Sequence, residues 1–282
     1  MTEPFSVLLP VYHRDAPEHL RRSFESVTIG QSLRPDEVVI VRDGPVDHAL
    51  SATLDELRAS SPVPVVVIEL PRNVGLARAL GAGLAACSHE IVARQDADDV
   101  SRPERFASQV PLVAGGADLV GSSIEEFDDD AALDAALGGA VVGMVRTPPM
   151  TPDEIHRAAR FRSPFNHPSV VYRRSAVTRA GGYEDLPLME DYWLFARMLA
   201  HGARARNLRE PLVLYRVGAG AYARRGGLRL LVSELRVQRR LRAIGFTTVP
   251  QMVRNVVLRG GYRLVPERLR RLAYRADARR RR

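Results

Sequence analysis

Three carboxylates fall within four positions, Asp96, Asp98 and Asp99, directly after the apolar run Ile91-Val92-Ala93. Like charges this close repel unless a cation compensates them, so such a cluster at the end of a buried strand asks for a divalent metal ion. Other polar groups follow apolar runs in the same way. Tyr12 comes after the run 5–9, and Asp43 after the run Glu37–Val41.

The elements that must position these groups can be read from hydrophobic period. Residues 5–9 form a strand ending at Pro10. Residues 17–29 have helical spacing in Leu20, Phe24 and Val27, with Pro17 suited to a first turn. A strand over 37–41, a helix near 47–59, a β-branched run at 63–68, a small-residue helix at 74–86 and a strand at 90–94 follow. Strand and helix alternate four times, which predicts a doubly wound, mainly parallel α/β sheet. In such sheets ligands lie at the carboxyl ends of the strands, so Tyr12, Asp43 and Asp96 to Asp99 are expected to line one crevice.

After Asp118 the expected pattern is strands near 118–127 and 141–146 around an Ala/Gly-rich stretch, then a helix at 151–160 and Phe165-Asn166-His167-Pro168. A strand at 169–172, a helix at 174–180, the segment Met189-Glu190-Asp191-Tyr192-Trp193 and a strand at 212–216 complete this half. It is expected to shape a second substrate site.

The 282 residues are 45% hydrophobic, enough for a sizeable core, and Cys87 is the lone cysteine, so no intrachain disulfide can form. No apolar run approaches the roughly 20 residues of a membrane span. All 41 basic residues are arginine. Residues 224–282 hold 18 of them against Glu234, Glu267 and Asp277, a balance of +15, which leaves −7 for the rest of a chain whose net charge is +8. The tail is a separate electrostatic object. It reads as helices broken near Pro250, Gly260-Gly261 and Pro266, with Leu228, Leu231, Val232 and Leu235 on one face and Leu230, Val237, Leu241 and Ile244 on another. Residues 266–276 interleave leucines with arginines, a pattern suited to an anionic membrane surface.

The ordered motifs Leu9-Pro10-Val11-Tyr12, Val41-Arg42-Asp43-Gly44, Asn73-Val74-Gly75-Leu76-Ala77, Gln95-Asp96-Ala97-Asp98-Asp99, His167-Pro168, Gly181-Gly182-Tyr183 and Glu190-Asp191 resemble those of the family-2 inverting glycosyltransferases. The resemblance covers about residues 4–217 and is strongest to bacterial enzymes of extracellular polysaccharide synthesis. It implies the glycosyltransferase-A fold of nucleotide-diphospho-sugar transferases, with a mainly parallel central sheet, flanking helices and here a basic helical C-terminal tail. The implied catalytic domain is 1–219, with a nucleotide-sugar-binding half at 1–117 and an acceptor half at 118–219; the arginine-rich region is 220–282.

By the same resemblance, Asp96 and Asp98 form an Asp-X-Asp pair, Asp98 for an Mn²⁺ or Mg²⁺ ion and Asp96 for ribose or metal. Asp99 either joins them or caps the helix beginning near Pro103. Pro10 and Tyr12 lie at the nucleotide, Tyr12 against the base, and Asp43 accepts from the uracil or thymine N3–H; a plain turn former is the alternative for Asp43. The family commonly has Asp-Asp-Gly-Ser where this chain has Arg42-Asp43-Gly44-Pro45. Gly75 opens a helix whose amides favour phosphate, and Arg78 either supports the diphosphate or is an ordinary exposed helix arginine. Asp191 is the implied base that deprotonates the acceptor hydroxyl. His167, Glu190 and Arg216 contact the acceptor or support the site. Some members place a metal-binding histidine two residues beyond that arginine, where this chain has Gly218. The Gln-X-X-Arg-Trp motif of processive synthases is missing, which points to one sugar per visit.

The implied function is metal-dependent transfer of one sugar from a UDP- or dTDP-sugar to a lipid-linked or polysaccharide acceptor. The implied place is the cytoplasm, peripheral at the inner face of the cell membrane, held on anionic lipid through the C-terminal helices. The alternative is a non-catalytic nucleotide-sugar- or membrane-binding protein of the same fold. A nucleic-acid partner is not expected, because the positive charge is segregated from the predicted catalytic half and lacks aromatic stacking platforms.

Overall fold

The computed structural model describes residues 3–217 and 228–261. Its core is a nine-stranded sheet. Strands β1 (Phe5–Val11), β2 (Glu37–Arg42), β3 (Val65–Glu69) and β4 (Ile91–Arg94) are mutually parallel in the order β3-β2-β1-β4. They are linked by α1 (Pro17–Val27), α2 (His48–Ser60) and α3 (Leu76–Ala86). The sheet continues through β8 (Val171–Arg173), antiparallel to both neighbours, to β6 (Leu119–Phe127), β9 (Ala205–Arg216) and the two-residue β5 (Val100–Ser101). β6 and β9 run parallel, and the short β7 (Val145–Arg146) pairs antiparallel with β6. The mainly parallel α/β expectation therefore holds.

β1, β2 and β4 read as unbroken apolar runs because both their faces are covered. Val7, Leu9, Val38 and Ile40 pack toward α1, α2 and α4 (Arg105–Ala114), through Leu20, Phe24, Leu54 and Phe106. Leu8, Val39, Val41 and Val92 face the other way, toward α3 and α8 (Glu190–Ala200), through Leu80, Leu84, Leu194 and Phe195. Cys87 is buried in this second layer.

Four local readings change. The Ala/Gly-rich stretch contains a helix, α5 (Asp130–Leu137), whose N-cap Asp129 accepts from the Ala132 amide at 2.8 Å; alanine is the best helix former, and the cap supplies the start. The strand expected over 141–146 is only β7, and the one expected over 212–216 begins seven residues earlier, at Ala205. Asp99 caps nothing: α4 starts after Glu104 without a side-chain cap.

Helices α6 (Pro152–Ala159) and α7 (Arg174–Arg179) flank the second half. Past residue 228, α9 (Leu228–Ala243) buries Leu230, Val237 and Leu241 against Tyr192, Trp193 and Ala196 of α8, while Ile244 of the same expected face is exposed. Pro250 sits in the first turn of α10 (Val249–Asn255), which continues through a π-helical turn, Val256–Gly260. The expected break at Pro266 and the amphipathic piece 266–276 lie outside the described residues.

Candidate active site

The acids that follow β4 lie close to the end of β1 and to the first turn of α8, near enough for the Asp96 charge to act on Asp15, Glu190 and Asp191. Asp96, Asp98 and Asp99 offer carboxylate oxygens that all lie within 4.8 Å of one another. The loop that carries them is fixed from below. Gln95, fully buried, donates from Nε2 to the carbonyls of Asp96 (3.2 Å) and Asp99 (2.8 Å) and to Ser23 Oγ (3.0 Å). The buried Arg105 guanidinium in turn donates to Gln95 Oε1 at 2.7 Å and to the Arg94 carbonyl at 2.6 Å.

The three acids are not equivalent. Asp96 forms a bidentate ion pair with the Arg94 guanidinium, whose side chain is 2% exposed. Asp99 is fully buried; its Oδ1 accepts from the Arg216 amide at 2.9 Å and its Oδ2 has no partner. Burial and then the Asp98 and Asp96 charges push the Asp99 carboxyl well above the usual carboxylate range. Burial and then Asp96 push Asp98 up to about 6. An orphaned carboxylate oxygen beside two clustered acids is a donor set suited to a hard divalent cation, which prefers oxygen ligands. The residues present therefore fit such an ion.

Sequence reading missed two neighbours. Arg94 lies beneath the cluster and acts electrostatically on Asp96, Asp98, Asp99, Glu190 and Asp191 alike. An arginine closing an apolar strand was the available signal. Asp15, half-buried after β1, accepts from the Tyr12 amide at 2.9 Å and is pushed up to about 7 by burial and then by Asp98 and Asp96.

On the nucleotide side, Pro10 is buried in β1 and Tyr12 is 39% exposed at its end. Asp43 is 4% exposed, and its two oxygens accept from the amides of Val74 (2.7 Å) and Gly75 (3.0 Å). These are the contacts of a turn former, and they take up the amides of Val74 and of the N-cap Gly75, just ahead of the first helical residue, Leu76. Gly44 permits this turn, because its φ is +88° and a Cβ there would run into the Asn73 backbone. Arg42, beside Asp43, pairs with Glu69 at 2.8 Å. Arg78 is largely exposed and reaches Asp185 at 3.4 Å, across from α3 to the segment before α8.

On the opposite side, Leu188 adopts φ 65°, a left-handed turn for a non-glycine residue, immediately before Met189 and α8. Glu190 and Asp191 occupy the first turn of α8, where helix amides favour negative charge. Burial raises the Asp191 carboxyl despite its backbone hydrogen bond from Tyr192 and the Arg94 charge; burial and then Asp191 push Glu190 up to about 7. A carboxylate held partly out of water is the form a general base takes. His167 is 9% exposed, 3.2 Å from Tyr183 Oη and edge-on to Phe195, so it packs under the site; burial pushes its imidazole well below its usual range. Arg216 also supports from below, with Nε donating to the Asp98 carbonyl at 3.3 Å and its guanidinium over the Phe127 ring. Gly218 lies outside the described residues.

With this geometry in view, residues 6–179 match the family described as Glycosyl transferase family 2. The chain is 34% identical over 275 residues to the amylovoran biosynthesis glycosyltransferase AmsE of Erwinia amylovora, covering 97% of this chain and 98% of that protein. It is 31% identical over 281 residues to the UDP-Gal:alpha-D-GlcNAc-diphosphoundecaprenol beta-1,3-galactosyltransferase of Escherichia coli, covering 99% and 98%. Among solved structures, S. aureus TarS 1–349 in complex with UDP-GlcNAc has a TM-score of 0.66 at 15% identity, over 91% of this chain and 72% of that one. The mannosyltransferase PcManGT from Pyrobaculum calidifontis, in complex with GDP-Man and Mn2+, has a TM-score of 0.62 at 18% identity, over 95% and 71%. The structural likeness carries the glycosyltransferase-A fold, and the sequence match carries the rest: the chain belongs to glycosyl transferase family 2 and is a glycosyltransferase.

Proposed function

We propose that the protein transfers one sugar, with inversion, from a UDP- or dTDP-sugar to a lipid-linked or polysaccharide acceptor in cell-surface glycan synthesis. The observation that carries this reading is the closeness of two acidic groups, Asp96 to Asp99 after β4 and Glu190-Asp191 at the start of α8, both acted on by the Arg94 charge. The first group would serve the nucleotide diphosphate and the second the acceptor.

Asp191 would take the proton of the acceptor hydroxyl as its oxygen attacks the anomeric carbon, while the bond from that carbon to the diphosphate breaks and the electron pair leaves with the nucleotide. Asp96 and Asp98, with the unpartnered Asp99 Oδ2, would hold a divalent cation, Mn²⁺ or Mg²⁺. When bound, that ion supplies charge neutralisation for the departing diphosphate. Tyr12 would lie against the base, Arg216 and Gln95 would keep the acidic loop in place, and Glu190 would orient the acceptor. The galactosyltransferase similar over nearly the full chain supports a UDP-linked donor and a lipid-diphosphate acceptor.

The test is nucleotide release from a panel of UDP- and dTDP-sugars with Mn²⁺, Mg²⁺ or chelator. Release from one donor is expected, falling at least about a hundredfold with chelator and in Asp98→Ala, since a lost electrostatic clamp on the leaving group typically costs that much. Equal release with and without chelator would sink the metal assignment. No release and no donor binding across the panel would sink the transferase chemistry proposed for this site.

The site would work at the cytoplasmic face of the membrane. No described helix is long and apolar enough to cross a bilayer, but Val249, Val253 and Val257 recur every fourth residue and are 51%, 52% and 63% exposed, with Leu258 beside them. Exposed Arg254 lies in the same stretch, and the sequence beyond residue 261 adds nine arginines, so an anionic lipid surface is the complementary partner. Sedimentation with phosphatidylglycerol vesicles should drop about tenfold in Val253→Ser/Val257→Ser. An unchanged bound fraction would remove this face from the reading.

A further inference from the structure

A cavity of about 430 Å³ opens beside β7 between residues 144–149, residues 162–166 and Arg209. We propose that it is a diphosphate-binding subsite for the acceptor, which rests on the lipid-linked acceptor reading above. Arg146, Arg162 and Arg209 are among its lining residues, and none of the lining residues is acidic. Arg146 is backed by an ion pair to Glu126 and lies over the Tyr215 ring at 4.7 Å, which fixes its direction. A guanidinium fork matches the paired oxygens of phosphate better than a single point charge does, so three arginines around one space suit a diphosphate.

The walls are built rather than incidental. Asn207, 5% exposed, donates from Nδ2 to the carbonyls of Pro149 (2.6 Å) and Pro164 (3.2 Å), so one buried amide ties together the two segments that enclose the cavity. Asn166 does the same at the inner edge, donating to the carbonyls of Ser122 (3.0 Å) and Arg146 (3.1 Å). Gly121 on β6 leaves the room this needs, because a Cβ there would strike the Asn207 side chain and Phe165.

The cavity also adjoins the proposed acceptor side of the active site. Phe165 in its lining meets Phe195 of α8 edge-on at 5.1 Å, and α8 carries Asp191 in its first turn. Tyr215, under Arg146, precedes Arg216, whose amide holds Asp99. A sugar presented to Asp191 on a lipid diphosphate would thus carry its two phosphates toward the arginines while the donor's own diphosphate stays with the acids of β4. The second substrate would be selected by charge on its linker as well as by its sugar.

Binding of inorganic pyrophosphate to the full chain, titrated by calorimetry with chelator present so that no cation draws it to the acids after β4, tests this directly. Pyrophosphate affinity should fall about tenfold or more in Arg162→Gln/Arg209→Gln and stay unchanged in Arg206→Gln, an exposed arginine outside the cavity. Thermal melting of the double variant reports its fold. Affinity unchanged in the double variant, or lowered equally in Arg206→Gln, would overturn the proposal. In the second arm, the KM for a diphosphate-linked glycolipid acceptor should rise by a similar factor in the double variant, with kcat nearly constant. Cavity-dependent pyrophosphate binding with an unmoved KM would overturn the assignment to the acceptor. A wild type that turns over no acceptor would instead remove the underlying functional reading, while the titration, which needs no turnover, still decides the cavity.

Discussion

Asp191→Asn should lower sugar transfer by about 10²- to 10⁴-fold, the range a positioned general base contributes, while donor affinity stays within about twofold. The amide has the carboxylate's shape but cannot take the acceptor proton. Stability separates this from a folding defect. Burial raises the Asp191 carboxyl in the folded chain, so ionisation costs stability progressively as pH rises from the ordinary aspartate value of about 3.9 toward the folded-state value, and in full above it. A neutral side chain removes that cost, and the variant should melt at or above the wild-type temperature. The same shift fixes the sign of the pH profile. The base works ionised, so kcat/KM should fall as pH drops through a limb lying above the ordinary aspartate value of about 3.9. Because Glu190, pushed up to about 7 by burial and then by Asp191, shares the turn, the limb reports the pair rather than one residue. A variant that keeps more than about a tenth of the wild-type rate would remove Asp191 as the base.

The parts of this site that could be read in advance are those whose signal is local. β1, β2 and β4 announce themselves because strands covered on both faces are apolar at every position, and the acids that end β4 stand out against that run. Glu190 and Asp191 open a helix whose apolar spacing is visible in Trp193, Phe195 and Leu199. What stayed hidden depends on partners far away in sequence. The amides that take up Asp43 belong to residues 31 and 32 positions later, and the amide that holds Asp99 belongs to Arg216, 117 positions later. Neither side chain's role follows from its own neighbours. Arg94 was hidden for a different reason: an arginine at a strand end normally reads as solvent-facing, and only the fold turns it under Asp96 with 2% exposure. β5, two residues long, has no signal of its own and exists because Val100 and Ser101 meet Leu214 and Val213 of β9.

Arg105→Met should destabilise the protein by about 3–5 kcal/mol, the usual penalty for removing one side of a buried charged network. Arg105 is fully buried and uses its whole guanidinium fork. Nη1 donates to Gln95 Oε1 (2.7 Å) and Ser101 Oγ (2.8 Å), Nη2 to the carbonyls of Arg94 (2.6 Å) and Pro168 (3.1 Å), and Nε to Gln109 Oε1 (3.2 Å). Methionine fills similar volume but leaves these acceptors without their donor in a space closed to water, and each such loss costs about 1–3 kcal/mol before relaxation. Burial and then the Arg94 charge push the Arg105 guanidinium down to about 9, so it is still charged at neutral pH and its charge helps balance Asp96 and Asp99. For a domain of this size a loss of that order should lower the melting temperature by about 10 °C. Arg105→Lys should fall between the two, because an ammonium cannot reach acceptors on both sides of the fork. The effect should extend to the chemistry, since Gln95, which Arg105 holds, carries the carbonyls of Asp96 and Asp99. Surviving folded Arg105→Met should therefore bind donor and metal more weakly than wild type. A melting temperature within about 2 °C of wild type would mean that the acceptors find other donors, and that the acidic loop is held by Gln95 and Ser23 without the arginine beneath it.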